Sequence, residues 1–302
     1  MRSKIVADLH NHTSASDGDF APENLVKIAK NLGLKGLGVT DHDTLKGLTK
    51  AVREGDDLGI EVIPGVEVSI RFKRPYFTGT LHMLCYFSRD QLADDAFVRK
   101  FESILAQGRG DELVRDRIAQ INRVFGPRGK SPLLKRDMVF QDIADYSQKA
   151  TRRHFALALA EKLGLEGKQI INGVIGNASP AYLPSGIELE TAASIIKTLP
   201  VMAVLAHPAA GSFPGEGHYK EVLPPLDVVE RILPEFIEAG LQGIEVYYPG
   251  HTKEHRQILK SWAKKYSLLI TGGSDCHDAK YRPLGGSGIS QTEFNLFKAA
   301  IP

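Results

Sequence analysis

The chain has 302 residues, of which 42% are hydrophobic and 25% are charged, and its formal net charge is +2. A chain of this length can bury a large core, and the near balance of charge argues against long duplex nucleic acid as a partner. Its two cysteines are far apart and no apolar run is long enough to span a bilayer, so we expect a cytoplasmic protein without a disulfide framework.

Short β-type runs alternate with amphipathic helical patterns along most of the chain. After the first run, apolar residues recur at helical spacing behind Pro22, and Gly33 supplies a stop signal. Seven strands are predicted: Lys4–Leu9, Lys35–Thr40, Glu61–Val68, Thr80–Phe87, Val201–Ala206, Gly243–Tyr247 and Ser267–Thr271. This alternation indicates parallel βα units, and seven of them fit a closed barrel slightly smaller than the usual eightfold one. A doubly wound open sheet is the alternative, which strand count alone does not exclude.

The middle of the chain has a different pattern. From residue 89 to residue 199 it is helical and charged, with few strand-like runs before the stretch PVMAVLAHP. We therefore predict a barrel domain built from residues 1–88 and 200–302. Residues 89–199 are predicted to form a helical insertion that covers the barrel mouth.

Histidines and carboxylates lie in or just beyond the predicted strand ends. His10 and His12 are two residues apart after the first strand, so their side chains point the same way and can bind one metal ion. Asp275 and His277 repeat this spacing after the last strand. The other candidates of this kind are Asp17, His42, Glu67, His82 and His207. Because strand ends converge on one mouth in a parallel barrel, these residues are expected to meet there.

Glu67 gives separate support for a metal site, because it lies on an apolar predicted strand. An unpaired carboxylate is costly to bury, and a metal ion would balance its charge. Mixed histidine and carboxylate ligands suit Mn²⁺, Fe²⁺ or Zn²⁺, and the sequence does not select one of them.

The remaining polar candidates have more than one interpretation. Arg152, Arg153 and His154 are consecutive and form either a solvated basic turn or a phosphate clamp, in which Arg forks match phosphate oxygens. His251 is a candidate general acid or substrate contact. No arrangement of a base with an orienting group is visible beside Cys276 in the sequence, so a nucleophilic role is rejected.

The motifs DLHNHT, VTDHDT, GVEVS, LHMLCY, AHP and GGSDCH occur in this order. Their order and spacing resemble the signatures of the PHP family, the polymerase and histidinol phosphatase superfamily, over nearly the whole chain. TRRHFA and the final GGSDCH resemble the TrpH/YciV-like branch, whose members act on 3',5'-bisphosphonucleosides and on the 5' ends of short RNAs. The resemblance implies an α/β fold, a distorted (β/α)7 barrel, that holds two or three divalent transition-metal ions.

The same resemblance implies three groups of metal ligands. The first group is His10, His12, Glu67 and Asp275; the second is Glu67 with His82 and His207; the third is Asp17, His42 and His277. Arg152, Arg153, His154 and His251 are then the expected catalytic or substrate-binding residues.

The predicted function is that of a metal-dependent phosphoesterase. It would hydrolyse a phosphate monoester of a small nucleotide such as the bisphosphonucleoside pAp, or of a short 5'-phosphorylated oligonucleotide, through a metal-bridging hydroxide. The expected partner is this small phosphorylated substrate, with no membrane and no obligate protein partner. A histidinol-phosphate phosphatase, an amidohydrolase-type hydrolase and a catalytically silent module remain the alternatives.

Overall fold

The computed structural model describes residues 4–108, 110–147, 150–214 and 223–302. The described residues form an eight-stranded sheet with helices packed around it. The strands are β1 (Ala7–Asp8), β2 (Gly36–Val39), β3 (Glu61–Arg74), β4 (Phe77–Tyr86), β5 (Ile187–Glu188), β6 (Met202–Leu205), β7 (Gly243–Tyr247) and β8 (Leu269–Gly272).

The described helices begin and end as follows: α1 (Pro22–Asn31), α2 (Leu48–Leu58), α3 (Arg89–Ala93), α4 (Asp95–Leu105), α5 (Asp111–Phe125), α6 (Phe140–Ala144), α7 (Arg152–Leu157), α8 (Lys168–Ile175), α9 (Leu189–Thr198), α10 (Leu226–Ala239), α11 (Lys253–Tyr266) and α12 (Gln291–Ala300). The bounds of α1 follow from residues that favour the start and the end of a helix. It begins at Pro22, whose fixed φ suits a first helical turn, and Gly33 lies just beyond its end with a φ of 73°. No helix in the described parts of the chain is long and apolar enough to cross a membrane.

Each of the seven predicted strands overlaps an observed one, and β7 has the predicted bounds. β4, however, runs antiparallel to both neighbours, β3 and β6, so the expectation of parallel units is wrong at this strand. β3 continues to Arg74, and only Pro75 and Tyr76 separate it from β4. Two residues suffice for a hairpin, whereas a parallel crossover needs a dozen or more. His82 therefore projects from the middle of β4, opposite Ser69, and not from a strand end.

The sheet order is β1-β2-β3-β4-β6-β7-β8, with β5 beside β3. The two ends of this order meet. The N–H of Leu9 donates to the carbonyl of Gly272 at 3.1 Å, and the N–H of Asp275 donates to the carbonyl of His10 at 2.7 Å. The sheet is therefore a nearly closed barrel, which confirms the predicted distorted (β/α)7 fold and excludes the doubly wound open sheet.

Two apolar clusters belong to the barrel. One joins alternate residues of the strands, such as Leu84 and Val204, to Phe294 and Phe297 of α12. The larger cluster packs the opposite faces of the strands against the surrounding helices. The strands therefore bury both faces, as expected for a barrel inside a ring of helices.

A separate apolar cluster runs from Val114 to Ala181 and contains side chains from α5 to α8. We refer to residues 111–183 as the insert. α4 and α9 lie within the predicted insertion, but Phe101 and Ile195 on these helices pack in the larger barrel cluster. The segment with a core of its own is thus shorter than residues 89–199, and the predicted domain division remains a prediction.

Candidate metal centre

The structure brings all nine predicted metal ligands into one cluster, in which Glu67 and His82 project from within β3 and β4 and the others follow strand ends. Eight of them are buried, and His82 is partly buried. The residues come from positions as distant as His10 and His277, so the closed barrel is what brings them together.

Four ligand atoms of the first group lie close together. Nε2 of His10 lies 3.2 Å from Oε2 of Glu67 and 3.4 Å from Oδ1 of Asp275. Nε2 of His12 lies 3.0 Å from the same Glu67 oxygen and 3.1 Å from the same Asp275 oxygen. The two ring nitrogens are 3.3 Å apart. Ligand atoms about 3 Å apart can share one divalent metal ion, because a bond from such an ion to nitrogen or oxygen is roughly 2 Å long.

Glu67 joins this group to the second one through its other carboxylate oxygen. Oε1 of Glu67 lies 3.1 Å from Nδ1 of His82 and 3.1 Å from Nε2 of His207. The two nitrogens are themselves 3.1 Å apart, so the three donor atoms form an equilateral triangle. Three protein ligands are the number that catalytic metal sites commonly supply.

The third group is more loosely arranged. Nε2 of His277 lies 3.3 Å from Oδ1 of Asp17, and Nδ1 of His12 lies 3.7 Å from the same oxygen. One donor atom from each of these residues and from His42 lies within 4.8 Å of the others. The structure thus places a second ring nitrogen of His12 beside the predicted third set.

The charges of the carboxylates fit a role as ligands. Burial alone would raise the pKa of Glu67, but the imidazoles of His42 and His10 hold that pKa well below its ordinary value. Asp17 is affected in the same way. Burial would raise its pKa, but the nearby His277 and His42 outweigh this effect and hold the pKa well below its ordinary value. Both carboxylates are therefore ionised near neutral pH.

Three buried nitrogen and oxygen atoms of the ligand groups have no hydrogen-bond partner among the described residues. They are Nδ1 of His12, Nδ1 of His42 and Oδ1 of Asp275. Buried polar atoms without a partner are uncommon in folded proteins. In addition, Asp275 and His207 have φ values of 51° and 33°, a strained conformation that clusters at functional sites. These features fit bound metal ions.

Buried carboxylates that are not predicted ligands hold the surrounding loops. Asp41 accepts hydrogen bonds from the N–H of Thr13 at 2.8 Å and from the hydroxyl of Ser16 at 2.5 Å. Asp8 accepts from the N–H of Ser274 at 2.9 Å. The loops that follow β1, β2 and β8 are therefore fixed to one another by charge-assisted hydrogen bonds.

Arg282, which contacts a predicted ligand, carries no signal in the sequence that would select it. Arg282 donates to Oδ2 of Asp275, and its Nη1 also lies 2.7 Å from the hydroxyl of Tyr248. That hydroxyl donates to the same Asp275 oxygen at 2.7 Å. One oxygen of Asp275 is thus held in place while the other faces the histidine pair.

Glu245 was also given no role by the sequence analysis. It is fully buried on β7, where its carboxylate contacts the ring of His10 and the backbone of His207. The signal that could have found it is the one that singled out Glu67, a carboxylate inside an apolar strand run.

The two arginines of the predicted clamp point in different directions. Arg153 extends to the mouth, where it donates to Asp19 at 2.9 Å and to Asp278 at 3.4 Å. Arg152 turns into the insert and donates to Asn177 at 3.1 Å and to the hydroxyl of Tyr182 at 3.3 Å. Of the two, only Arg153 lies against loops that also carry predicted metal ligands.

His154 and His251 have backbone partners that account for their burial. Nδ1 of His154 accepts from the N–H of Thr151 at 2.9 Å and caps α7. Nδ1 of His251 lies 3.0 Å from the carbonyl of Val246, and its Nε2 accepts from the N–H of Ala209 at 3.3 Å. Burial lowers the pKa of His251 to about 3. The predicted role of His251 as a general acid or substrate contact stays a prediction.

Cys276 remains an unsuitable nucleophile in the structure. Its side chain is buried, and burial raises the pKa of the thiol to about 12. The thiolate form that reacts is therefore scarce at neutral pH.

Comparison with known proteins finds a PHP domain in the first third of the chain. Residues 8–93 match the family model described as the PHP domain. The prediction of a PHP-family hydrolase is thereby confirmed.

Two curated relatives are similar to the PHP chain over most of their length. A 5'-3' exoribonuclease of Haemophilus influenzae is 27% identical, with 89% of each chain covered. A 3',5'-nucleoside bisphosphate phosphatase of Chromobacterium violaceum is also 27% identical, with 95% of this chain and 91% of the relative covered. Among solved structures, a Bifidobacterium adolescentis protein described as a metal-dependent phosphoesterase has the same fold. Its TM-score is 0.73 and its identity 24%, with 98% of this chain and 96% of that chain covered.

Proposed function

We propose that this PHP protein is a metal-dependent phosphoesterase that hydrolyses a phosphate ester of a small nucleotide or of a short 5'-phosphorylated oligonucleotide. The observation that carries the proposal is the close group of ligand atoms from His10, His12, Glu67 and Asp275, next to the triangle of ligand atoms on the other Glu67 oxygen. Two ions would share Glu67, and a third would be held by Asp17, His42 and His277. Mixed histidine and carboxylate ligands of this kind suit Mn²⁺, Fe²⁺ or Zn²⁺.

Ions bound here would supply Lewis acidity for phosphoryl oxygens and lower the pKa of water to near neutrality. The protein's own part is to hold the donor atoms in place before substrate arrives. Oδ2 of Asp275 is held by Arg282 and Tyr248, so Oδ1 stays directed at the histidine pair. Fixed ligands of this kind lose little freedom when substrate binds, which favours catalysis.

Arg153 is the proposed phosphate clamp. It connects the insert to the mouth, and its side chain is 34% exposed, so a substrate can reach it. A phosphate with two charged oxygens can replace Asp19 or Asp278 as the partner of its guanidinium. Arg152 is assigned a structural role instead, because its partners are inside the insert.

The relatives support a nucleotide substrate. One relative is named a 5'-3' exoribonuclease and another a 3',5'-nucleoside bisphosphate phosphatase, and both are 27% identical to this chain. The shared element of these two substrates is a phosphate ester with a second phosphate nearby. A clamp on the non-reacting phosphate fits both.

The test is a panel of phosphate esters: pAp, AMP, histidinol phosphate and a 5'-phosphorylated dinucleotide. Release of inorganic phosphate or of a mononucleotide is measured with the metal-loaded enzyme. We expect the highest kcat/KM on pAp or on the dinucleotide, and a lower value on AMP. Fastest turnover of histidinol phosphate, or no turnover of any ester, would contradict the proposal.

A further inference from the structure

Glu245 is a buried carboxylate that belongs to none of the ligand groups found among the described residues. It lies on β7, where its neighbours Ile244 and Val246 face the outer apolar cluster and Glu245 faces inward. The residue is 0% exposed. A carboxylate in such a position needs strong partners, since an unpaired buried charge is costly.

Its partners are two predicted metal ligands from other strands. Oε1 and Oε2 of Glu245 lie 3.1 Å and 3.3 Å from Nδ1 of His10. Oε2 also accepts a hydrogen bond from the backbone N–H of His207 at 2.7 Å. One side chain therefore connects the ends of β1, β6 and β7.

The two nitrogens of His10 face opposite sides. Nδ1 faces Glu245, and Nε2 faces the first ligand group, 3.2 Å from Oε2 of Glu67. A neutral imidazole carries one N–H, and an ionised carboxylate can only accept. With the proton on Nδ1, the Nε2 lone pair is directed at the ligand group, as a metal ligand requires.

We propose that Glu245 is a positioning residue, which sets the metal-binding tautomer of His10 and at the same time fixes the backbone of His207. Its role rests on the proposed function, because the groups that it holds are the proposed metal ligands. His207 has a φ of 33°, which is a strained conformation that persists only when surrounding contacts stabilise it. The hydrogen bond from its backbone N–H to Glu245 is such a contact. Glu245 thus links the first metal group to the second without binding an ion itself.

Glu245→Gln is a sharp test because the amide has the same shape and only one acceptor oxygen. If that oxygen accepts from His207, the amide N–H faces Nδ1 of His10 and moves the ring proton to Nε2. If the amide is reversed, its N–H meets the N–H of His207 and that bond is lost. Glu245→Asp keeps the charge and both acceptor oxygens but shortens the reach. A positioning role therefore predicts that Glu245→Asp keeps more of the metal affinity than Glu245→Gln, although Gln is closer to Glu in shape.

Two measurements separate the outcomes. The first is the affinity of the metal-free enzyme for Zn²⁺ and Mn²⁺, measured by competition with a chromophoric chelator. We expect Glu245→Gln to lower the metal affinity of the tightest site by about 10- to 100-fold. The affinity of Glu245→Asp should lie between that of Glu245→Gln and that of the wild type. The number of ions bound at saturation should be unchanged in both variants. The second is a two-bond proton–nitrogen correlation spectrum of histidine-labelled protein loaded with Zn²⁺, with His10 assigned from a His10→Gln spectrum. We expect Nδ1–H and a zinc-bound Nε2 in the wild type, and loss of this pattern in Glu245→Gln.

Asp142→Asn is the matched control. Asp142 is another buried, hydrogen-bonded carboxylate, but it lies in the insert and pairs with Arg136 at 2.7 Å. This variant should lose stability and keep the metal affinity of the wild type.

Three results would overturn the proposal. Wild-type affinity together with the wild-type His10 spectrum in Glu245→Gln would leave Glu245 with a structural role alone. Loss of one full equivalent of metal at saturation would make it a ligand. Equal weakening by Asp142→Asn would trace the effect to stability. A wild-type enzyme that binds no metal contradicts the proposed function instead, whereas a Glu245→Gln enzyme that binds metal as the wild type does contradicts only the role of Glu245.

Discussion

Asp17 lies in the loop between β1 and α1, where Oδ1 is 3.3 Å from Nε2 of His277 and the side chain is 3% exposed. It is the single carboxylate of the third ligand group, in which its partners are His12, His42 and His277. Because it lies in a loop, its contribution to the apolar cores is small. Its charge is therefore expected to matter more for the site than for the fold.

The first prediction is that Asp17→Asn lowers kcat on pAp by about 10- to 100-fold and leaves the circular dichroism spectrum unchanged. The amide has the size of the carboxylate but lacks the charge that attracts a third ion. Asp116→Asn on α5, outside the ligand groups, is the control for a lost negative charge and should keep full activity. Wild-type turnover by Asp17→Asn would show that the third group does not take part in the reaction.

At the level of the helices and strands, the insert meets the mouth through α7. Arg152 and Arg153 are consecutive on this helix, so they project about 100° apart and reach different partners. Arg153 contacts Asp19 and Asp278, and Arg152 contacts Asn177 and Tyr182. Variants at these two positions therefore remove the same charge from the same helical turn but affect different contacts.

The second prediction is a change of selectivity. Arg153→Ala should lower kcat/KM on pAp by about ten- to a hundredfold, because a charge-assisted bond to phosphate contributes roughly 1.5–3 kcal/mol. The loss on AMP should be much smaller, since AMP has no second phosphate to bind. Arg152→Ala should instead lower the melting temperature and keep the ratio of kcat/KM for the two substrates. Equal losses on pAp and AMP in Arg153→Ala would mean that this arginine serves the reacting phosphate.

The third prediction concerns the separate core of the insert. Leu159 is 0% exposed in that cluster, so Leu159→Ala should destabilise the protein by about 2–5 kcal/mol. The metal content should not change, because the ligand groups are on the barrel. Denaturant unfolding and elemental analysis of the same sample make the comparison. A loss of metal in this variant would contradict the assignment of the insert and the metal centre to separate cores.

Periodicity predicted the strands well because apolar β-type runs are local features. β7 was predicted with its observed bounds, and β1, β2 and β6 to within a few residues. The direction of β4 was predicted wrongly, since it depends on a two-residue turn at Pro75 and Tyr76 in place of a crossover. β5 was missed because its two residues carry no detectable pattern.

The candidate site was predictable where side chains carry an unusual signal. Paired histidines and a carboxylate on an apolar strand pointed to the ligand groups, and the structure brings those residues together. Arg282 and Asp8 were not selected because an arginine in a loop and an aspartate in a short strand are ordinary in sequence. Their partners, Asp275 and Ser274, are close to them only in the folded chain.

For the molecule as a whole, the metal centre depends on closure of the barrel. The first ligand group joins residues that follow β1 to residues that follow β8, and the seam between these strands is closed by backbone bonds such as that from Asp275 to His10 at 2.7 Å. Metal binding and folding are therefore coupled, because the donor atoms meet only when the two ends of the sheet meet. The central claim is that these donor atoms hold the ions that the reaction requires.

The most direct measurement is the metal content of gently purified enzyme together with its rate on pAp, before and after removal of metal by a chelator. We expect two or three transition-metal ions per chain, loss of activity when they are removed, and recovery when Mn²⁺, Fe²⁺ or Zn²⁺ is added back. A metal-free sample that hydrolyses pAp at the full rate would contradict the account.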